Sequence, residues 1–518
     1  MRTLHADLTA TQKLASATPY IKLELDSRDR ATSETFETTD KPNRILSVQQ
    51  ADGRTGGFIF DVSEQYYIST VVQLQNSDAS LSGKDYRGYR LKVNWGFDAF
   101  GTNRVAPNAA PYIIIQQRQL SEEGQTVLEL RAVSLWELAR LIPVNGKGGA
   151  MIGWNTDVAD DTATVAQILQ TALAGQLALN IQRYDGSEAP PDDYVVFDPT
   201  VTIRSVPRDG YNFNVAVLPT IPAVNDAVYL GLDKTFDNIS WHVRVAGTNT
   251  TITWEYYNGS SWASLTGITD NTNSLTTAGF HTVKFDKPTD WATTSVDGST
   301  AYYFVRGRVT AVASPVGGLV GLVYLGHDFG FSLDTDDANQ AEDNKPVIIT
   351  DANTNAAQVA EAALKASRLG LIIRDDGFHA KYIDSTQAPE DYKYDLDGDH
   401  EFYVHTETVP ALIPNKIIAV SSDPITGVPP DFDGEATDAT SIGKIGIIPK
   451  VVVDASITND ADAATKAQIV IDNLNENLAH GEAEVPVNVG QEPWDLVEVT
   501  DDRTSRSIEG RVTQLIFY

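Results

Sequence analysis

The stretch TWEYYNGSSW, residues 253–262, gives the clearest structural signal in the chain. Its residues alternate as in a β-strand, which puts Trp254 and Tyr256 on one face and Glu255 and Tyr257 on the other. An Asn-Gly dipeptide follows, which is typical of the tight turn between two antiparallel strands. The stretch therefore predicts a β-hairpin.

The sequence patterns on both sides of this hairpin indicate a larger β region, residues 213–325. The region has little helical pattern and is rich in Thr, Trp, Tyr and Gly. WHVRVAG, HTVKFDK and AYYFVRGRVTAV add further short runs of strand-forming residues. We therefore predict an antiparallel β-sandwich over this region.

A helical pattern flanks the predicted sandwich on each side. TVAQILQTALAGQLAL repeats apolar residues at helical spacing after Asp161 or Thr162, either of which is a suitable N-cap. NAAQVAEAALKASRL does the same and is expected to stop at Gly370. Because a β run follows both helices, we predict that residues 143–212 and 326–405 form one middle α/β domain. The sandwich is then an insertion in that domain.

The two ends of the chain are also rich in predicted strands. Residues 1–142 alternate apolar and polar positions in YIKLEL, YYISTVVQL, YRLKVNW and TVLELRAV, and then contain the short helix SLWELARLI. Residues 406–518 contain a predicted helix at 460–480, followed by a β tail. The predicted fold class is therefore mainly β with some α, an α+β multidomain chain.

The composition excludes several classes of protein. The 518 residues include 70 Asp and Glu, 39 Lys and Arg, and no Cys, for a net charge of −31. Without Cys there is no disulfide, no zinc site of the Cys type and no thiol nucleophile. Tight nucleic-acid binding is disfavoured because no basic face is expected at this charge. The acidity suits a surface solvated at high salt, an acidic channel along which DNA slides, or an ordinary acidic protein.

Signatures of catalysis and of membrane insertion are missing from the sequence. It contains no GxSxG, HExxH, Walker or strand-linked GxGxxG motif. Acidic residues are plentiful, but nothing selects one pair as the carboxylates of a glycosidase. No apolar run reaches the roughly 18 residues of a membrane span, and the N-terminal stretch lacks the apolar core of a secretion signal. We therefore expect neither an enzyme nor a membrane span.

The segment DLDGDHE carries the oxygen ligands of a cation site. Asp395, Asp397, Asp399 and Glu401 recur at every second position, a density of carboxylates that suits hard cations such as calcium. The EF-hand pattern is not met, because the glycine comes too early and the distal Glu is missing. Two interpretations stay open: a structural divalent-cation site, or an acidic turn with solvated side chains. No other cofactor is expected.

The aromatic residues of the predicted sandwich suggest carbohydrate binding. Exposed rings can stack on sugar faces, whereas buried rings fill a sandwich core. Trp254, Tyr256, Tyr257 and Trp262 are the candidates for a glycan-binding platform. The alternative is that these rings belong to the hydrophobic core.

Several segments resemble one family, in the order in which that family has them. TATQKLASATPYIKLELDSRDR and LQNSDASLSGKDYRGYRLKVNWGF resemble the first part of prophage tail proteins. EVPVNVGQEPWDLVEVTDDRTSRSIEGRVTQLIFY, with VPALIPNKIIAVSSD before it, is similar to the C-terminal barrel of tail hub proteins. WEYYNGSSW, VKFDKPTDW and AYYFVRGRV resemble a β-sandwich insert of phage baseplate proteins. The chain thus resembles the baseplate hub or tail-tip hub proteins of long-tailed phages and related archaeal tailed viruses.

The resemblance implies a structural role in the virion, at the tip of the tail. Residues 1–142 and 406–518 would each form a tube-like β-barrel, so that a homotrimer presents six barrels and closes the six-fold tail tube. The ring would pass DNA on infection and contact distal tail or tail-tube proteins, the tape measure protein, and tail fibre or receptor-binding proteins. Because the sequence stops at Tyr518, a plug or lysin is expected on another polypeptide. An acidic lumen would suit DNA passage, and scarce Lys and Arg would suit a salt-loving host.

Two other functions stay open. The sandwich could make the protein a glycan-binding receptor-recognition (adhesin) protein of the tail, with host surface glycans as partners. A glycan-degrading depolymerase is the third hypothesis, and it predicts that reducing ends are released from host surface polysaccharide.

Overall fold

The computed structural model describes residues 2–14, 17–27, 32–53, 69–122, 125–144, 153–154, 163–177, 180–184, 215–296, 298–327, 329–334, 345–350, 353–367, 369–383, 387, 389–396, 398, 400–408, 413–422, 430–454, 457–476, 480–504 and 506–517. The helices in these ranges are α1 (Ala6–Thr11), α2 (Leu135–Leu141), α3 (Val165–Leu173), α4 (Ala356–Lys365), α5 (Ala439–Ile445) and α6 (Asp460–Glu476). Within the same ranges, no helix has the length and apolar character needed to cross a membrane.

An antiparallel sheet of nine strands contains most of the N-terminal region. The strands are β1 (Pro19–Asp26), β2 (Ser33–Glu37), β3 (Ile45–Gly53), β4 (Thr70–Gln75), β5 (Arg90–Ala99), β6 (Thr102–Val105), β7 (Pro111–Glu122), β8 (Gln125–Ser134) and β34 (Gln514–Phe517). They follow the order β2-β1-β5-β7-β8-β4-β3-β34, with β6 beside β5. Leu23, Leu25, Leu91 and Leu130 are fully buried. One face of this sheet therefore covers a hydrophobic core.

Strand β34 lies in this first sheet, although the sequence patterns placed it in the C-terminal domain. It pairs with β3 in antiparallel register, and Phe517 stacks on Trp95 with ring centroids 5.3 Å apart. Among the described residues the strand order is open, running from β2 to β34. A closed N-terminal barrel is therefore not shown.

Two six-stranded sheets form the predicted sandwich. The first sheet contains β10 (Gln176–Leu177), β12 (Val215–Ala216), β14 (Asn238–Val245), β17 (Thr266–Asp270), β18 (Gly279–Asp286) and β21 (Leu319–Gly326). The second contains β11 (Asn180–Tyr184), β13 (Ala227–Leu232), β15 (Thr248–Tyr257), β16 (Trp262–Ser264), β19 (Thr293–Thr294) and β20 (Tyr302–Val316). Their inner faces share one hydrophobic cluster that includes Leu230, Trp241, Trp254, Phe285 and Val305.

The predicted hairpin joins β15 to β16. The side-chain oxygen of Asn258 accepts hydrogen bonds from the backbone N–H groups of Ser260 and Ser261, at 3.0 and 2.9 Å. Gly259 has a φ of +93°, which favours a residue without a Cβ. The Asn-Gly signal therefore identified the turn correctly.

The strands that follow α3 belong to the sandwich, whereas the sequence had placed them in the middle domain. β10 pairs with β21, and β11 pairs with β13. Only the second helix is followed by a strand outside the sandwich, because β24 (Leu369–Arg374) pairs with β25 (Gly377–Tyr382). The two helix-then-strand segments look alike in sequence, but the strands after α3 pair within the sandwich and the strand after α4 pairs outside it.

The middle domain is a layer that covers the outer face of the first sandwich sheet. Helices α2, α3 and α4 share a hydrophobic cluster with that face, including Leu135, Ile168, Val359, Phe280 and Tyr324. The hydroxyls of Tyr324 and Thr171 are 3.1 Å apart across this contact. The other strands of this layer are β9 (Gly153–Trp154), β22 (Phe331–Leu333) and β23 (Ile348–Ile349).

The ends of two predicted helices differ from the sequence expectation. Helix α3 is capped by Thr164, whose side chain accepts from the backbone of Gln167, while Asp161 and Thr162 lie outside the described residues. Helix α4 ends at Lys365 rather than at Gly370, which lies in β24. The C-cap is Ala366, whose backbone N–H donates to the carbonyl of Ala362, and β24 begins at Leu369.

Small sheets make up the C-terminal region. They contain β26 (Tyr392–Asp395) with β32 (Leu496–Asp501) and β33 (Arg506–Arg511), β27 (Val404–Thr408) with β31 (His480–Glu484), and β28 (Lys416–Val420) with β29 (Asp433–Thr437) and β30 (Pro449–Val453). Helix α6 covers β28 and β29 through Ile417, Ala463 and Ala467. These sheets are separate in the described part of the chain, so a closed C-terminal barrel is not shown.

Gly377, in the tight turn between β24 and β25, should not tolerate a side chain. Its φ is +127°, and an added Cβ would lie 2.4 Å from the backbone nitrogen of Gly330. Gly377→Ala should therefore lower the midpoint of urea unfolding, since strained backbone alone costs about 1–2 kcal/mol and the clash adds to it. Gly510→Ala is the matched control, because nothing lies within 4 Å of its added Cβ. Equal midpoints for the two variants would contradict this account of the turn.

Candidate functional site

The four predicted glycan-binding residues are divided between two faces of the second sandwich sheet. Trp254 is 1% exposed and lies in the core between the sheets. Its indole N–H donates to Asp270 Oδ2 at 3.0 Å. Tyr256 packs against the same core, and its hydroxyl donates to Asp290 Oδ1 at 2.7 Å. The predicted alternation along this strand is thus correct, but it turns Trp254 away from any surface ligand.

Tyr257 and Trp262 lie together on the outer face of that sheet. Their ring centroids are 5.8 Å apart, and the guanidinium carbon of Arg306 lies 4.5 Å from the centroid of the Trp262 ring. Glu255 holds Arg306 Nε at 2.6 Å and Arg308 Nη2 at 2.7 Å. The two arginines overcome the effect of burial and lower the pKa of Glu255. This face therefore combines half-buried rings with fixed charges.

The predicted cation site is only partly described. Asp397 and Asp399 lie outside the described residues. Asp395 ends β26, with a carboxylate oxygen 3.7 Å from Lys393 Nζ. Glu401 is exposed. No group of three His, Asp or Glu side chains suited to a metal ion occurs among the residues that the structure describes. The calcium site stays a prediction.

A set of buried and half-buried charged side chains, together with one threonine, lies where the middle domain meets the other regions. The sequence patterns did not reveal it. The hairpin of β24 and β25 supplies its centre, with two aspartates in the turn. We call this set the charged junction; its members are Arg2, Lys92, Thr282, Lys284, Asp334, Arg374, Asp375, Asp376, His379 and Glu492.

His379 lies at the centre of the charged junction with a carboxylate on each ring nitrogen. Nδ1 is 2.8 Å from Asp334 Oδ1, and Nε2 is 2.5 Å from Asp376 Oδ1. The side chain is 4% exposed. Burial alone would lower the pKa of His379, but the two carboxylates reverse that effect and raise it to about 10. The ring therefore carries a proton at neutral pH and donates to both aspartates.

The turn of the hairpin binds the sandwich and the N-terminal sheet. Asp376 accepts a hydrogen bond from the hydroxyl of Thr282 at 2.6 Å. Asp375 pairs with Lys284, and Lys92 Nζ lies 3.7 Å from the same carboxylate. Thr282 and Lys284 lie on β18, while Lys92 lies on β5. Two neighbouring aspartates thus hold two separate sheets.

Arg374 extends the charged junction to the C-terminal region. Its Nε and Nη2 donate to the two carboxylate oxygens of Glu492, at 3.0 and 3.1 Å, and it also pairs with Asp334. Arg2 Nε approaches Glu492 Oε1 at 3.3 Å. Burial favours the neutral form of Glu492, but the pairing with Arg374 lowers its pKa. The carboxylate therefore stays charged, although its side chain is 1% exposed.

The charged junction ties four regions of the chain together through paired, buried charges. Removing one member leaves its partner charged and buried, which is costly in a protein interior. Both ring nitrogens of His379 are hydrogen-bonded to carboxylates, so neither nitrogen is available to exchange a proton with a substrate. The charged junction is therefore suited to holding the regions together. One sequence signal could have located it: the Asp-Asp-Gly turn, with His379 and Lys381 on one face of the following strand.

The stability that the charged junction provides should depend on pH. The raised pKa of His379 means that its contribution is complete below its ordinary pKa of about 6.5 and is lost as pH rises through about 10. Asp334, Asp376 and Glu492 have lowered pKa values, so their contributions are complete above about pH 4.5 and decline as pH falls further. The urea midpoint should therefore be highest between these limits. An alkaline decline that persists unchanged in His379→Gln would contradict this assignment.

Comparison with known proteins gives remote structural likenesses. No protein-family model matches the chain, and no curated protein matches it either. The crystal structure of prophage tail protein gp18 from Listeria monocytogenes EGD-e is 8% identical, with a TM-score of 0.42 over 96% of this chain and 90% of that one. A tail protein from Neisseria meningitidis MC58 is 8% identical, with a TM-score of 0.42 over 96% of this chain and 91% of that one. The 43 kDa tail protein of prophage MuSo2 from Shewanella oneidensis is 9% identical, with a TM-score of 0.38 over 96% and 93%.

Proposed function

We propose that this protein is a structural subunit of a virus tail tip, the hub that closes the distal end of the tail tube. Three subunits form a ring, and the ring passes DNA on infection. The resemblance of the terminal segments to tail hub proteins motivates the proposal. Such a hub requires two tube-like barrels side by side in each subunit. Each barrel then occupies one position of a six-fold arrangement.

The observation that carries the proposal is the joining of the two terminal regions. β34 pairs with β3, Phe517 stacks on Trp95, and Arg2 approaches Glu492. These contacts keep the first sheet and the C-terminal sheets adjacent within one subunit. Adjacent β regions are what a threefold ring needs in order to match a six-fold tube.

The charged junction supports a structural role. A subunit that transmits force between a tail tube and a cell needs regions that do not shift against one another. Paired charges among four regions favour one arrangement of those regions, because a shift would leave buried charges such as His379 and Glu492 without partners. The net charge of −31 also suits a pore for DNA, because phosphates do not adhere to an acidic wall.

The remaining assignments follow from this role. The partners are two further copies of the chain, the distal tail or tail-tube proteins, the tape measure protein and tail fibres. The location is the tail tip of a virion, and no catalytic activity is proposed. The carboxylates at 395–401 are proposed to hold a structural cation such as calcium.

The oligomeric state tests the proposed function directly. We expect size-exclusion chromatography with light scattering to give the mass of a trimer, and negative-stain images to show a ring with a central pore. Because the copies are strongly acidic, assembly should be favoured by added salt, which screens repulsion over distances beyond about 10 Å at 0.1 M. A monomer at every salt and protein concentration would rule out the hub.

The outer face of the sandwich favours a second candidate function, recognition of host glycans. Tyr257 and Trp262 lie on that face together, beside Arg306. We expect Trp262→Ala in the full-length protein to weaken binding to host surface glycans about tenfold, as measured on immobilised glycans. Tyr403→Ala is the control, because Tyr403 is 66% exposed in another part of the chain. The full chain is needed, since residues 213–325 alone lack β10 and β11.

A further inference from the structure

Strands β28, β29 and β30 of the C-terminal region form a sheet with two unlike edges. β28 lies in the centre, paired antiparallel with β29 and parallel with β30. Helix α6 packs on one face of this sheet through Ala463 and Ala467. Among the described strands, neither β29 nor β30 pairs with any strand other than β28. Each of the two outer strands therefore has one edge that can accept a further strand.

The backbone of β30 directs hydrogen-bonding groups away from β28. The N–H of Asp454 donates to the carbonyl of Val420 on β28, at 2.9 Å. Because successive residues of a strand bond to alternate sides, Val451 and Val453 point their N–H and C=O groups outward. Pro449 has no N–H, so an added strand would gain most of its bonds at these two valines.

The β30 edge is apolar and basic. Residues 439–453 contain Lys444 and Lys450 but no Asp or Glu, in a chain with 70 acidic and 39 basic residues. Four large apolar side chains of this segment are exposed: Ile445 at 42%, Ile447 at 62%, Val451 at 48% and Val453 at 50%. A group of exposed apolar neighbours is typical of an interaction surface.

The β29 edge is acidic. The range 431–438 contains no Lys or Arg and four acidic residues, Asp431, Asp433, Glu435 and Asp438. The N–H of Asp438 donates to the carbonyl of the residue before β28, so the backbone groups of Asp433 and Glu435 point to the outer side. Glu435 keeps 59% of its side chain exposed, although Lys416 Nζ lies 2.6 Å from its carboxylate.

We propose that the β30 edge of one copy of this chain pairs with the β29 edge of a second copy. β29 and β30 run in opposite directions, because one is antiparallel and the other parallel to β28. Two copies in the same orientation would therefore continue the sheet as an antiparallel pair. The charges select this partner, because two acidic β29 edges repel each other whereas an acidic edge attracts one that carries lysines.

A contact between two different edges is head-to-tail, and such contacts close into a ring when the rotation between copies allows it. This inference rests on the proposed function, since it supplies a contact for the proposed trimer.

Sedimentation velocity of the full-length protein, over a range of protein concentrations, tests the contact. Val451→Asp places a negative charge on the β30 edge, where it would face the acidic β29 edge, and we expect it to weaken self-association about tenfold. Val404→Asp is the matched control, because Val404 is 51% exposed on β27 in another sheet; it should associate like the wild type. Since both side chains are exposed, the melting temperatures of both variants should stay close to that of the wild type.

Engineered cysteines identify which edges meet. The chain has no Cys, so Val451→Cys and Glu435→Cys each introduce the single thiol of the protein. We expect oxidation of the two co-expressed variants to give a disulfide-linked dimer, and neither variant to give one by itself. Cross-linking of Val451→Cys alone would place two like edges in contact and would overturn the head-to-tail pairing.

The outcomes separate this inference from the proposed function. A wild-type trimer, together with unchanged association of Val451→Asp and no disulfide between the co-expressed variants, would overturn the edge contact and leave the hub proposal standing. A wild-type protein that is monomeric throughout would overturn both.

Discussion

Replacing His379 with alanine should lower the free energy of unfolding by about 3–5 kcal/mol. The substitution removes the positive charge that faces Asp334 and Asp376. It leaves the Asp376 carboxylate in a buried site, whereas Asp334 keeps some access to solvent. Lys284 and Arg374 compensate only in part, because each already pairs with another carboxylate of the charged junction. Urea unfolding followed by circular dichroism measures the change.

The control for this prediction is His405→Ala, at a partly exposed position on β27. Its effect should stay within about 0.5 kcal/mol, as for most surface substitutions. The two histidines therefore differ in environment and not in chemistry. If both variants unfold at the same urea concentration, the charged junction does not hold the regions together.

Replacing Trp254 with alanine should cost about 3–5 kcal/mol, the range for deleting a large aromatic side chain from a core. The ring fills the space between the two sandwich sheets, and its centroid lies 6.1 Å from that of Trp241. The variant also leaves Asp270 without the indole N–H. We expect urea unfolding followed by circular dichroism to show a transition at much lower urea concentration than in the wild type.

Trp262→Ala should behave differently, because Trp262 lies on the outer face of the same hairpin. The ring is half-buried against Tyr229 and Arg306, so its loss should lower the free energy of unfolding by about 1–2 kcal/mol, less than the loss of Trp254. Any effect of Trp262→Ala on glycan binding can then be read without unfolding, whereas the same experiment on Trp254 cannot. A larger loss of stability in Trp262→Ala than in Trp254→Ala would contradict the placement of the two rings.

Local sequence patterns predicted where the helices and strands of this fold lie better than they predicted which strands pair with one another. The alternation of TWEYYNGSSW and its Asn-Gly turn gave the hairpin, and apolar spacing gave α3 and α4. The pairings of β10, β11 and β34 were not predictable, because a short strand of a few residues carries no local information about its neighbour. The positions of domain boundaries depend on such pairings, which is why the sequence pattern places β34 with the C-terminal sheets whereas the structure pairs it with β3.

The candidate sites were also predicted only as far as local sequence patterns allow. Sequence alternation correctly separated Trp254 from Tyr257, but it did not say which face was covered. The charged junction was missed because its members come from distant segments. His379 lies on β25, Asp334 directly follows β22, and Glu492 lies more than 100 residues further along the chain. Only the turn next to His379 gave a local hint of buried polar residues.

The pairing of β3 with β34 has a consequence for synthesis. The two strands are separated by most of the chain, so β3 leaves the ribosome long before its partner exists. Until then, β3 presents an edge that can pair with another nascent chain. Pairing β3 with β34 closes a loop that contains most of the chain. This slows folding, because the conformational entropy of that loop is lost before the strand pairing compensates for it. We therefore expect the first sheet to be completed only after translation, and expression at lower temperature or with a holding chaperone to raise the soluble yield.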